Sequence, residues 1–143
     1  MAKFAIRLCI LLLLASCSDA EPGTGSDMRD LTVTFVVGAN PSQTSCGAYD
    51  RRTLALEDAS GTLLVPATGF TSSDVLDNDD PSMPADRVCH YTAVLTQVPN
   101  ADVYQLVYSS EGEQFRGGYR RAELDAVDWH LVGIYDELIR RRG

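Results

Sequence analysis

The chain has 143 residues, 20 of them acidic and 12 basic, for a net charge of −8 at neutral pH with both histidines uncharged. With 45% hydrophobic residues it is long enough to bury one core and too short for two. So acidic a surface repels nucleic acid and anionic headgroups and directs attention to cationic partners or a divalent metal.

The first residues read as an export signal. Lys3 and Arg7 precede an apolar stretch, Leu8 to Ala15, that ends in Ala15-Ser16-Cys17. A retained membrane helix needs about twenty apolar residues; here Ser16, Ser18, Asp19 and Glu21 interrupt the run. A basic start, a short apolar segment and small residues at its end define a signal peptide over residues 1–16. Leu14-Ala15-Ser16-Cys17 resembles the bacterial lipobox. That resemblance implies that the Cys17 thiol takes a diacylglycerol, becomes the mature N-terminus and anchors the protein in the bacterial cell envelope. Ser18, rather than Asp, follows the cysteine; by the sorting rule of enteric-type bacteria this implies the outer membrane. Simple secretion would leave Cys17 as an odd thiol in an oxidising compartment. Without the leader the chain keeps ten arginines, no lysine and all twenty acids, so its net charge becomes −10.

Residues 17–30 carry the lipidation site and then a polar, aperiodic stretch with few apolar groups, which reads as a flexible tether. Residues 31–143 form the single folded domain. Cys9 leaves with the leader and Cys17 is occupied by lipid, so Cys46 and Cys89 remain, and in an exported domain they are expected to pair. A bridge closing a loop of about forty residues is worth roughly 4 kcal/mol in the chain-entropy account.

Within the domain the hydrophobic period is mostly two. Leu31, Val33, Phe35 and Val37 alternate with Thr32, Thr34 and Val36, a strand with one apolar face. Residues 53–57 and 62–65 flank Asp58-Ala59-Ser60-Gly61, a hairpin signature. Residues 66–86 read as a long polar loop. Cys89, Tyr91, Ala93 and Leu95 then share a face of the longest strand candidate. Pro99-Asn100-Ala101-Asp102 turns the chain into a strand with Tyr104, Leu106 and Tyr108 on one side, and Ser109 to Glu113 turns it again toward Phe115.

The C-terminal stretch carries two conflicting patterns. Leu124, Val127, Leu131, Ile134 and Leu138 recur at three and four, acids lead, and arginines 140 to 142 close the run, as in a helix. Residues 129–135 are instead rich in aromatic and β-branched side chains and contain Gly133, which favours a strand. The reading adopted is a helical turn at residues 122–126 followed by a strand. The fold class expected is therefore all-β: a small antiparallel β-sandwich of about seven strands with a short C-terminal helix.

Three segments bear a second resemblance: Leu54-Ala55-Leu56-Glu57-Asp58-Ala59-Ser60-Gly61, Cys89-His90-Tyr91-Thr92-Ala93 and Val98-Pro99-Asn100-Ala101-Asp102-Val103-Tyr104. Their succession is similar to small exported sandwich domains of the transthyretin-like or carboxypeptidase-regulatory-like type, found in many bacterial lipoproteins. It implies an immunoglobulin-like or transthyretin-like fold and no activity.

Candidate chemistry is sparse. Asp74, Asp77, Asn78, Asp79 and Asp80 crowd one loop, and Asp77, Asp79 and Asp80 are the weak metal candidates, by oxygen-ligand density alone. The calcium-loop order fails, because Pro81 stands where a third ligand belongs. His90 and His130 fall on strands beside apolar neighbours, where a structural role is the default. Trp129, Tyr119 and Tyr135 could form a stacking surface, although a core tryptophan is the commoner outcome in a sandwich. Neither a nucleophile elbow, a zinc-protease helix nor a phosphate loop is present, so no enzyme, no catalytic residue and no cofactor is expected. The expected function is a lipid-anchored, non-catalytic binding or structural module, its partners the membrane and a cationic protein or cell-wall component. The alternative is an acidic inhibitor or capture protein for a cationic, lysozyme-type hydrolase.

Overall fold

Arg29–Gly38 forms the first strand, β1, in the computed structural model, which describes residues 27–140. The signal peptide, Cys17 and most of the expected tether lie outside the described residues. The strand begins two residues before the boundary expected at Leu31. Arg29 pairs with Val98 across a bulge, and the Asp30 carboxylate accepts the backbone N–H of Gln97 at 2.9 Å.

Two sheets follow. The first orders β4 (Thr71–Ser72), β6 (Arg87–Val98), β1 and β9 (His130–Gly133), with β5 (Leu76–Asp77) also paired to β6. The second orders β3 (Leu63–Thr68), β2 (Arg52–Asp58), β7 (Val103–Ser110) and β8 (Glu113–Arg120). The expected all-β sandwich holds, with nine strands among the described residues in place of about seven. Pairing is antiparallel except between β1 and β9, which run parallel with Thr32 opposite His130 and Phe35 opposite Gly133. The two additional short strands fall in residues 66–86, read from sequence as loop. Thr71–Ser72 and Leu76–Asp77 hydrogen-bond in succession along the edge of β6 that β1 leaves free.

Alternation sets the core. Leu31, Val33 and Phe35 of β1 and Cys89, Tyr91, Ala93 and Leu95 of β6 face Leu54, Leu56, Tyr104, Leu106 and Tyr108 of the second sheet, all buried. Each large side chain so buried contributes about 1.5–3 kcal/mol. The β2–β3 hairpin closes as its sequence predicts. The Asp58 carboxylate accepts from Ser60 N–H, Ser60 Oγ and Thr62 N–H at 2.6–2.9 Å, and Gly61 supplies the positive φ of 84°. These bonds hold the Asp58 carboxyl below the usual carboxylate range, that from the Ser60 hydroxyl first. At the β6–β7 corner, buried Tyr104 donates its hydroxyl to Pro99 O at 2.9 Å and accepts from Ala101 N–H at 2.8 Å, a tyrosine corner.

Both C-terminal patterns are used. Arg121–Ala126 forms α1, with the Glu123 carboxylate accepting the Arg120 N–H at 2.8 Å. The helix ends where Trp129 N–H reaches Leu124 O at 2.8 Å and Asp128 N–H reaches Asp125 O at 3.2 Å. That is a Schellman closure, with Asp128 and Trp129 at φ of 49° and 58°. Strand β9 follows, and then one further turn, α2 (Tyr135–Leu138). Chain after α2 packs directly on Gly117 of β8. A Cβ there would lie 2.6 Å from Leu138 O and 3.0 Å from Ile139 Cα.

Candidate functional site

The Cys46–Cys89 disulfide is formed, with Cα atoms 5.6 Å apart. It ties the irregular β1–β2 connection to the start of β6. Gln43 in that connection reinforces the tie: its carbonyl accepts from Arg87 at 3.0 Å. The acidic residues singled out from sequence lie nearby, with Asp77 on β5 and Asp79 and Asp80 in the exposed loop beyond it. That loop is organised by its own side chains. Asn78 accepts from Asp80 N–H at 3.0 Å and donates to Ala85 O at 2.6 Å, while Asp80 accepts from the Ser82 N–H and hydroxyl at 2.8 and 2.7 Å. The Ser82 hydroxyl, then its N–H, holds the Asp80 carboxyl below the usual carboxylate range. Among the described residues no three His, Cys, Asp or Glu side chains converge in a group able to hold a metal ion.

Asp77, Asp79 and Asp80 line one side of a cleft of about 460 Å³ on the outer face of the first sheet. Glu137 of α2 stands among its other walls, and the apolar lining includes Val36, Val88, Val132 and Ile134. Val132 is 62% exposed, so this apolar surface is open to a partner. His90, half-buried, also lines the cleft; exposed His130 does not, its Nδ1 lying 2.7 Å from Asp128 O. Four carboxylates around an aliphatic surface suit a cationic side chain, whose stem packs on the valines while its charged head meets the acids.

The stacking surface envisaged for Trp129, Tyr119 and Tyr135 does not form. Trp129 is 3% exposed, with its indole N–H on Asp125 at 2.8 Å and its ring edge-on to Tyr104. Tyr119 is equally buried and donates to Leu138 O at 2.7 Å. Burial and satisfied polar atoms make both core residues.

Tyr135 instead belongs to a second cleft, of about 470 Å³, that sequence reading missed. Tyr49, Tyr108, Phe115 and Tyr135 supply its rings, with Arg52, Arg140, Glu111 and Glu113 also in its lining. Tyr49 stacks on Tyr91 with centroids 4.1 Å apart and carries the Arg52 guanidinium 4.2 Å from its own ring centre. Burial above all, with help from the Tyr108 hydroxyl 3.5 Å away, pushes Tyr49 up to about 12 against the pull of Arg52. The Tyr135 hydroxyl is buried and finds no acceptor among the described residues; burial raises its pKa against the opposing charge and contact of Arg140. The available signal was Tyr49 close to Arg52 in an irregular segment, but only the disulfide and the fold bring Tyr108, Phe115 and Tyr135 to them.

The acidic cleft uses the far end of β1, near Val36, and the aromatic cleft the start of β2 and the end of β7. Phe35 lies 5.5 Å from Tyr108, which puts these strand ends at one end of the sandwich, opposite Arg29. Comparison of the chain with protein-family models, with curated proteins and with solved structures gives no match.

Proposed function

We propose that this chain is a lipid-anchored module of the bacterial envelope that acts by binding rather than by catalysis, and that its binding surface is the acidic cleft. The observation that carries the reading is the cleft's composition: Asp77, Asp79, Asp80 and Glu137 around an aliphatic surface that exposes Val132 and Ile134. Such a surface attracts a cationic protein at long range and holds its arginine or lysine side chains at short range. The leader supports the location, with Cys17 as the lipidated residue and Ser18 favouring the outer membrane. A chain tethered ahead of Arg29 would present both clefts at the end away from its anchor.

The same acids favour a narrower reading, capture or inhibition of a cationic, lysozyme-type hydrolase. The test is a titration of full-length protein in detergent with a lysozyme-type hydrolase at rising salt. The proposal expects binding that weakens as the Debye length falls below about 10 Å. It also expects binding to weaken when Asp77, Asp79 and Asp80 become Asn, with the melting temperature held. Salt-insensitive binding, or binding untouched by the triple substitution, refutes the cleft's role. Turnover of a wall or peptide substrate, lost on a single substitution, refutes the non-catalytic reading. The anchor is tested separately: Cys17→Ala should abolish metabolic lipid labelling.

A further inference from the structure

We propose that the aromatic cleft between β2, β7, β8 and α2 is a second binding site, for a small zwitterionic ligand carrying a free carboxylate and a free ammonium, as a short peptide does.

Three features of the cleft bear on the carboxylate. Arg52 is half-buried and rests on the Tyr49 ring, and no carboxylate lies within ion-pairing distance of it among the described residues. Its positive charge is thus oriented without being neutralised. The Tyr135 hydroxyl is a donor cut off from water that finds no acceptor among the described residues, an unfavourable arrangement that an incoming acceptor relieves. Arg140, beside it, is held by an exposed ion pair to Asp136 at 3.1 Å and by its contact with that hydroxyl, tethers weak enough to let the side chain swing aside. A carboxylate between Arg52 and Tyr135 would receive charge-assisted hydrogen bonds.

Glu111 and Glu113 set the other half of the ligand. Both are exposed, Glu111 on the β7–β8 turn and Glu113 at the start of β8, whereas Arg52 and Tyr135 are half-buried. They oppose a polyanion and offer an ammonium group its counter-charge at the mouth. The rings of Tyr108 and Phe115, each packed edge-on to Tyr135 at 5.1 and 5.9 Å, give the ligand's aliphatic part an apolar wall. A charge-balanced lining with an aromatic wall selects a dipolar ligand over a simple anion or cation.

The test uses full-length protein in detergent and six probes: L-alanyl-L-alanine, D-alanyl-D-alanine, and the C-amidated and N-acetylated forms of each dipeptide, with binding followed by calorimetry and tyrosine resonance shifts. Saturable binding of a free dipeptide is expected, weakened about tenfold or more by C-amidation, by Arg52→Gln and by Tyr135→Phe, as loss of a hydrogen bond to a charged group requires. N-acetylation and Glu113→Gln should weaken it to a smaller extent. Preference for the D form assigns the ligand to wall-type peptides; preference for the L form assigns it to ordinary ones. Asp79→Asn, in the other cleft, should leave dipeptide binding unchanged, so this proposal and that for the acidic cleft fail independently. Thermal melts establish that each variant is folded. Absence of saturable binding by any free dipeptide overturns the proposal. So does equal binding of amidated and free forms, or parent-like affinity in both folded Arg52→Gln and Tyr135→Phe.

Discussion

Tyr49 and Tyr91 stack with ring centroids 4.1 Å apart and planes inclined by only 17°. Tyr49 follows Cys46 by three residues and Tyr91 follows Cys89 by two, so the disulfide and the ring stack fasten the same connection to the same strand. One covalent bond therefore supports both the core and a wall of the aromatic cleft.

Removing that bond, by reduction or by Cys46→Ser with Cys89→Ser, should lower stability by about 2–4 kcal/mol. A fall in melting temperature on adding reductant checks this. Tyrosine fluorescence should change in the same variant as Tyr49 leaves Tyr91. Two freely alkylated thiols in native protein would contradict the bridge.

Gly117→Ala should cost about 1–3 kcal/mol, because the added methyl meets backbone at Leu138 and Ile139 and cannot be accommodated by rotating a side chain. Gly69→Ala, with no atom within 4 Å of the new Cβ, is the control and should change stability far less. Denaturant midpoints of the two variants decide the matter.

Asp128 occupies the left-handed position of the helix closure at φ 49°, where glycine is the least strained residue. Asp128→Gly should therefore stabilise the fold by about 0.5–1 kcal/mol. A lower melting temperature in that variant would show that the aspartate side chain matters more than its backbone.

How much of this was legible depended on how local the cause was. The β2–β3 hairpin is written into Asp58 to Gly61, and the core face of β6 into the alternation of Cys89, Tyr91, Ala93 and Leu95, since each depends on neighbours in sequence. The pairing of Cys46 with Cys89 was expected from the signal-peptide reading and the cysteine count. Strands β4 and β5 were hidden because two residues show no period; they are strands only because β6 has a free edge. Trp129 was ambiguous for a similar reason. Its burial depends on the Schellman turn that reverses the chain after α1. Three acids of the first cleft, Asp77, Asp79 and Asp80, could be named from sequence, but Glu137 comes from α2 and the valine companions from three separate strands. Tyr135 was considered with the wrong partners, since packing of α2 on Gly117 had no sequence signal.

Alkaline pH supplies a further test. The folded-state pKa of Tyr49, about 12, lies above the ordinary value of 10.0 that the unfolded chain has. Its contribution to stability is therefore whole below about pH 10 and is lost as pH rises through about 12. Melting temperatures should fall across that window, and the fall should be shallower in Tyr49→Phe. Absorbance titration should show a tyrosinate component that appears only as pH approaches about 12 and is missing in Tyr49→Phe.

The parallel pairing of β1 with β9 imposes an order on assembly. Among the described residues the first strand waits for the last one, since Thr32 must find His130 after every intervening strand has emerged. Contacts so distant in sequence slow folding, because the entropy of closing the loop is lost before the pairing returns anything. A chain halted before His130 would leave the β1 edge unpaired, with its N–H and C=O groups free to recruit other strands. The proposed export of the unfolded chain would delay completion of the first sheet until β9 has been delivered.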